Sequence, residues 1–135
     1  MKLTRRELLS SVAVGAVALA LPTTAFATTV PYSSDTFASY LESGETFLLG
    51  VHAKWCSTCA RQTRVINALR EQGDFYNNLV VMEVDWDEER NGSLVSDLNI
   101  PRRSTLIMFK GGEEVGRVVA GTGEQQIKDL IDSAL

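Results

Sequence analysis

Beyond residue 34 the hydrophobic positions fall into short segments of two kinds: continuous apolar runs, and stripes at helical spacing. "TFLLGVHA" (Thr46–Ala53), "LVVMEVDWD" (Leu79–Asp87) and "STLIMFK" (Ser104–Lys110) are apolar runs of strand length. Such runs suit strands covered on both faces. "DTFASYLESG" puts Phe37, Tyr40 and Leu41 at helical spacing, opens on a capping-type Asp35 and stops at Gly44. Residues 56–72 read as a helix with Val65, Ile66 and Leu69 on its apolar face, arginines opposite and Gly73 as its stop. "GSLVSDLN" reads as a short helix, and "GEQQIKDLIDSAL" as an amphipathic one carrying Ile127, Leu130, Ile131 and Leu135. The glycines at 111–112 signal a hairpin between "STLIMFK" and "EEVGRVVAG". "TTVPYSS" (Thr28–Ser34) reads only as a lead-in. The order is α-β-α-β-α-β-β-α. Its first two strands are joined through a helix, as in a right-handed crossover, and its last two are antiparallel. The expected fold class is α/β, with a mixed central β-sheet and helices on both faces.

The first 27 residues follow another pattern. Lys2, Arg5 and Arg6 precede an uncharged stretch of small and apolar residues from Leu8 to Leu21. Pro22 breaks it, and Ala25 and Ala27 supply the small residues of a cleavage site. Residues 1–27 therefore read as a cleavable export signal, too short in its apolar run for a membrane span of about 20 residues. "TRRELL" (Thr4–Leu9) resembles the twin-arginine export motif, with the general secretory route as the alternative. The expected destination is a bacterial periplasm, where disulfides persist, with no stable membrane anchor after cleavage. Residues 28–135 then form one domain long enough for its own core. The chain has a formal net charge of −4, and losing the basic signal leaves the domain more acidic. With no basic cluster, nucleic-acid binding is not expected.

Candidate chemistry sits in "KWCSTCAR" (Lys54–Arg61), which holds the only two cysteines, Cys56 and Cys59, behind Trp55. The pair lies where a strand gives way to a helix. A helix N-terminus offers unpaired N–H groups and partial positive charge, which stabilise the thiolate that acts as nucleophile. Cys56 is expected to be the exposed, low-pKa attacker, and Cys59, one turn on, the shielded resolving thiol. A structural disulfide closing so short a loop would gain little. A metal normally takes four ligands, and no second cysteine pair exists. His52, the only histidine, reads as a packed residue of an apolar strand. No metal is expected in one chain; a site shared by two chains escapes that ligand count.

Together, "FLLGVHAKWCSTCARQ", "LVVMEVDWDEE" and "STLIMFKGGEEVGRVVAG" resemble the strand–WCxxC–helix core, next strand and closing hairpin of the thioredoxin family. The resemblance covers residues 35–135. It implies a thioredoxin-like fold, dithiol–disulfide exchange with protein partners, and no dissociable cofactor. Cys56 matches the family's attacking cysteine, Cys59 the resolving one and Trp55 the adjoining tryptophan. Three features depart from the family. The dipeptide between the cysteines is Ser57-Thr58 rather than Gly-Pro, and hydroxyls bonded to the thiolate would make the pair more oxidising. Gly50 stands where many members carry a buried Asp that moves the resolving thiol's proton, and Glu83 on the neighbouring strand could supply a carboxylate instead. Ser104 falls at the family's cis-proline position, with Pro101 three residues upstream as the other candidate. Arg102 and Arg103 would flank the thiols and could receive an acidic partner.

These readings lead to a periplasmic thiol–disulfide oxidoreductase working in the reducing direction, because no substrate-binding domain of the disulfide-oxidase kind is inserted. A membrane electron donor would recharge it. The alternative is a binding module of the same fold, holding a metal or cluster or responding to redox state. A thiol peroxidase lacks a further cysteine or a Thr/Arg pattern.

Overall fold

The computed structural model describes residues 28–135, so the export signal read in residues 1–27 lies outside the described residues. The elements are β1 (Thr29–Pro31), α1 (Ser34–Ser43), β2 (Phe47–His52), α2 (Ser57–Arg70), α3 (Asp74–Asn77), β3 (Val80–Asp85), α4 (Trp86–Glu89), α5 (Ser93–Asp97), β4 (Thr105–Lys110), β5 (Glu113–Val119) and α6 (Glu124–Asp132). Five strands form one sheet in the order β1-β3-β2-β4-β5. β1 and β2 run parallel to β3, while β4 pairs antiparallel with β2 and β5. Among the described residues no helix is long and apolar enough to cross a membrane.

Both faces of the sheet are covered, which is why the central strands read as unbroken apolar runs. On one face Leu48, Val81, Leu106 and Met108 pack under Ile66 and Leu69 of α2 and Ile127 and Ile131 of α6. On the other, Phe47, Leu49, Val51, Met82 and Ile107 meet Leu94 of α5 and Phe37, Tyr40 and Leu41 of α1. Phe47 stacks on Phe109 at 5.0 Å between ring centroids. Each fully buried side chain of this size contributes about 1.5–3 kcal/mol.

Four local expectations need correction. The lead-in contains edge strand β1, held to β3 through Val81 N–H to Thr28 O and Tyr32 N–H to Glu83 O, at 2.9 and 2.8 Å. The first helix is capped by Ser33, whose Oγ accepts the Thr36 N–H at 3.1 Å, while Asp35 lies in its first turn. β3 ends at Asp85, because the Asp85 carboxylate caps the next turn by accepting the Asp87 N–H at 2.9 Å. Short helices α3 and α4 carry no periodicity long enough to register in a pattern. The hairpin glycines Gly111 and Gly112 have φ of 61° and 81°, the positive values a tight two-residue hairpin turn needs.

Candidate active site

β2 ends at His52, and a tight turn closed by Cys56 N–H to Ala53 O at 3.1 Å delivers the chain to α2. Cys56 is the N-cap of that helix, and its Sγ accepts the Cys59 N–H at 3.2 Å. The cap role normally belongs to an oxygen; here the sulfur takes it, so the helix's unpaired N–H groups and positive end act directly on the thiol. Cys59 lies one turn on. Its S–H points to the Val51 carbonyl at 4.0 Å, so this sulfur faces an acceptor where Cys56 faces a donor.

Cys56 is not exposed, contrary to expectation: it is 5% accessible and Cys59 4%. Both sulfurs pack with Ala53 against Trp86, the residue at which the chain turns off β3. The two thiols differ in hydrogen bonding, not accessibility. Burial alone would raise the Cys56 pKa, but the Cys59 side chain, the Ser104 hydroxyl, the Cys59 N–H and Arg103 together lower it to about 7.

Ser104 lies just before β4 and is fully buried. Its Oγ is 3.2 Å from Cys56 Sγ and 3.0 Å from Cys59 Sγ. Its backbone has φ of 61°, and its N–H donates to Val51 O at 2.8 Å. Proline, with φ near −65° and no N–H, does not fit that backbone. Pro101 is exposed three residues upstream. Ser57 is exposed and Thr58 half-buried, and among the described residues neither hydroxyl bonds a sulfur. The hydroxyl expected from the intervening dipeptide comes instead from Ser104, across the sheet.

Trp55 is 61% exposed. Its indole N–H donates to Asp87 at 2.9 Å, and the Arg103 guanidinium lies 4.3 Å from its ring centroid. The ring is thus held between an anion and a cation beside the thiols, a fixed amphipathic surface for a partner chain. Arg102 turns away and donates to Arg103 O. A groove of about 370 Å³ along His52, Lys54, Cys56, Cys59 and Arg64 has a basic rim.

Gly50 and Glu83 are register partners on adjacent strands. A cavity of about 30 Å³ behind Cys59 is lined by Gly50, His52, Cys59, Gln62, Glu83 and Leu106, among others. That volume accommodates a water molecule. Among the described residues, the buried His52 Nδ1 has no hydrogen-bond partner.

Gln62 is a further residue of the site, not among those expected from the sequence. It is 3% accessible, and its amide donates to Ser104 O and Gly121 O, both at 2.9 Å. The signal was its place on the buried stripe Cys59, Gln62, Ile66, Leu69 of α2, at spacings of three and four that mark one helix face. Asp87, which fixes Trp55, carried no signal of its own.

A family model described as thioredoxin matches residues 28–133. Among curated proteins, the thioredoxin of Mycolicibacterium smegmatis is 29% identical over 109 residues, covering 79% of this chain and 95% of the relative. The thioredoxin of Staphylococcus epidermidis is 30% identical over 106 residues, covering 78% and 97%. Among solved structures, Trxlp from Edwardsiella tarda superposes with a TM-score of 0.68 at 29% identity, covering 77% of this chain and 98% of that one.

Proposed function

The chain belongs to the thioredoxin family, and from that premise we propose that it is a periplasmic reductant of protein disulfides. That it is a thiol–disulfide oxidoreductase follows from the family. The observation that carries the mechanism is Cys56 Sγ at the N-cap of α2, accepting the Cys59 N–H and titrating at about 7. Near neutral pH about half of such a thiol is thiolate. Cys56 S⁻ attacks one sulfur of a partner disulfide; a Cys56–partner disulfide forms, and the other partner sulfur leaves as thiolate and takes a proton from water. Cys59 then loses its proton and attacks Cys56 Sγ. The Cys56–partner bond breaks, the second partner sulfur leaves and is protonated, and the pair ends as a disulfide.

The reducing direction is supported by the element order within the matched residues 28–133, where no substrate-binding domain of the disulfide-oxidase kind interrupts the sheet. Export is supported by Lys2, Arg5, Arg6, the apolar run and the small residues before Thr28. In that compartment a membrane electron donor returns the pair to dithiol. Partners whose disulfides lie near acidic residues suit the basic rim and Arg103. The test has two parts. The purified protein should reduce insulin with dithiothreitol as electron source, and cells expressing the full chain should release it with their periplasmic contents. Insulin left intact contradicts the reductase, and retention in the cytoplasm contradicts the location.

Glu83 is proposed as the group that removes the Cys59 proton, through water in the cavity they share. General-base help is worth about 10²-fold at the low end. Glu83→Gln should therefore slow the resolving step by about 10² at pH 7, with the deficit shrinking as pH rises and hydroxide takes the proton instead. Stopped-flow resolution of a preformed mixed disulfide measures this, and an unchanged pH profile rules Glu83 out.

A further inference from the structure

Among the described residues, the Ser104 hydroxyl has no partner except the two sulfurs. Its surroundings hold it there tightly. The Ser104 N–H binds Val51 O on β2, while its carbonyl accepts the Ala120 N–H and the Gln62 amide. Thr105 Oγ1 donates to Arg102 O at 2.7 Å and closes the loop behind it. These bonds keep a non-glycine residue in the left-handed region, at φ of 61°, a conformation that persists only where its surroundings impose it. The side chain is thereby aimed between Cys56 and Cys59, out of solvent.

A hydroxyl has one proton to give and two lone pairs to receive. We propose that Ser104 is a third catalytic residue, whose O–H is given to whichever sulfur carries the negative charge as exchange proceeds. The proposal rests on the exchange reading above and adds a residue to it. Before attack, Ser104 donates to the Cys56 thiolate across 3.2 Å, while the Cys59 S–H is directed at the Val51 carbonyl. Once Cys56 is bound to the partner, its sulfur carries no charge and holds the donor only weakly. The O–H then rotates toward Cys59 Sγ, 3.0 Å from the Ser104 oxygen, and stabilises the thiolate forming there. The Cys59 proton leaves on the opposite side, through the cavity toward Glu83, or to water. Ser104 itself is neither oxidised nor deprotonated at any step. Neither sulfur of the finished disulfide is charged, so the hydrogen bond favours the reduced, thiolate form and makes the pair more oxidising.

Ser104→Gly and Ser104→Ala remove the donor. Glycine accepts φ of 61° without strain, so at least one variant keeps the loop, as circular dichroism will show. The first readout is the pH dependence of Cys56 alkylation, located by mass spectrometry. Cys56 titrates at about 7 with the hydroxyl in place, and its midpoint should rise by about one unit without it. The raised midpoint leaves less thiolate to stabilise the reduced form. At pH 8 the glutathione equilibrium should shift about fivefold toward the disulfide, a potential lower by about 20 mV. The third readout, resolution of a preformed mixed disulfide, should also slow. Unchanged midpoint, potential and resolution rate in folded variants overturn the proposal. A shifted midpoint in a protein that leaves insulin intact would instead support the hydrogen bond and contradict the exchange reading on which its catalytic use rests.

Discussion

Replacing Cys56 with serine is expected to abolish disulfide reduction and leave the fold standing. The two effects separate because Cys56 does two jobs. As N-cap it accepts the Cys59 N–H, and serine is among the residues most favoured for that role, so the start of α2 stays satisfied. As nucleophile it has no substitute, because the attacking species is a thiolate and a serine hydroxyl does not ionise in the working range. Cys59 cannot take over: it lies one turn into α2 rather than at its N-cap, and its sulfur is directed at the Val51 carbonyl. Insulin reduction by Cys56→Ser should fall to the rate of dithiothreitol alone, with a Tm within a few degrees of the parent. Residual turnover well above that background would assign the attack to Cys59.

Cys59→Ser should have the second-largest effect, and of a different kind. Its hydroxyl can still pair with Ser104, so the buried position keeps a hydrogen-bond partner. Cys56 remains an attacking thiolate and still forms the mixed disulfide. What disappears is the neighbouring thiol that breaks it. Intramolecular attack by a well-placed group corresponds to effective concentrations of about 10⁵ M or more, which millimolar external thiol cannot match. Steady-state reduction should therefore drop by at least about 10³-fold, while the first, stoichiometric release of partner thiol survives. Loss of that first release as well would mean that Cys59 is needed for attack.

The layered α/β fold could be read from the chain because its central strands are buried on both faces and advertise themselves as apolar runs. β1 could not, because Thr29–Pro31 has one inward residue, Val30, and becomes a strand only through hydrogen bonds supplied by β3. The cap of α1 lies two residues before the expected Asp35, because Ser33 and Asp35 are both good capping types and only the backbone geometry at Ser33 decides between them. At the site, the spacing of Cys56 and Cys59 pointed to the helix start. It said nothing of what lies above that start, so the burial of Cys56 under Trp86 and Ser104 was invisible. Ser104 could be placed opposite the thiols by aligning β4, but its hydroxyl bridge depends on a left-handed backbone and on Gln62, two features that no local pattern signals.

In the proposed exchange Cys56 forms a covalent bond to protein partners and Cys59 breaks it. The most direct measurement is to express full-length Cys59→Ser in its own organism, quench thiols with acid and alkylating agent, and identify what is disulfide-linked to the chain. The sequence contains only two cysteines, so in this variant every adduct must lie on Cys56. Attack by Cys56 predicts a set of mixed disulfides with exported, cysteine-containing proteins, released by dithiothreitol and absent from the variant lacking both cysteines. A variant that accumulates in the periplasm and carries no partner beyond that control would contradict it.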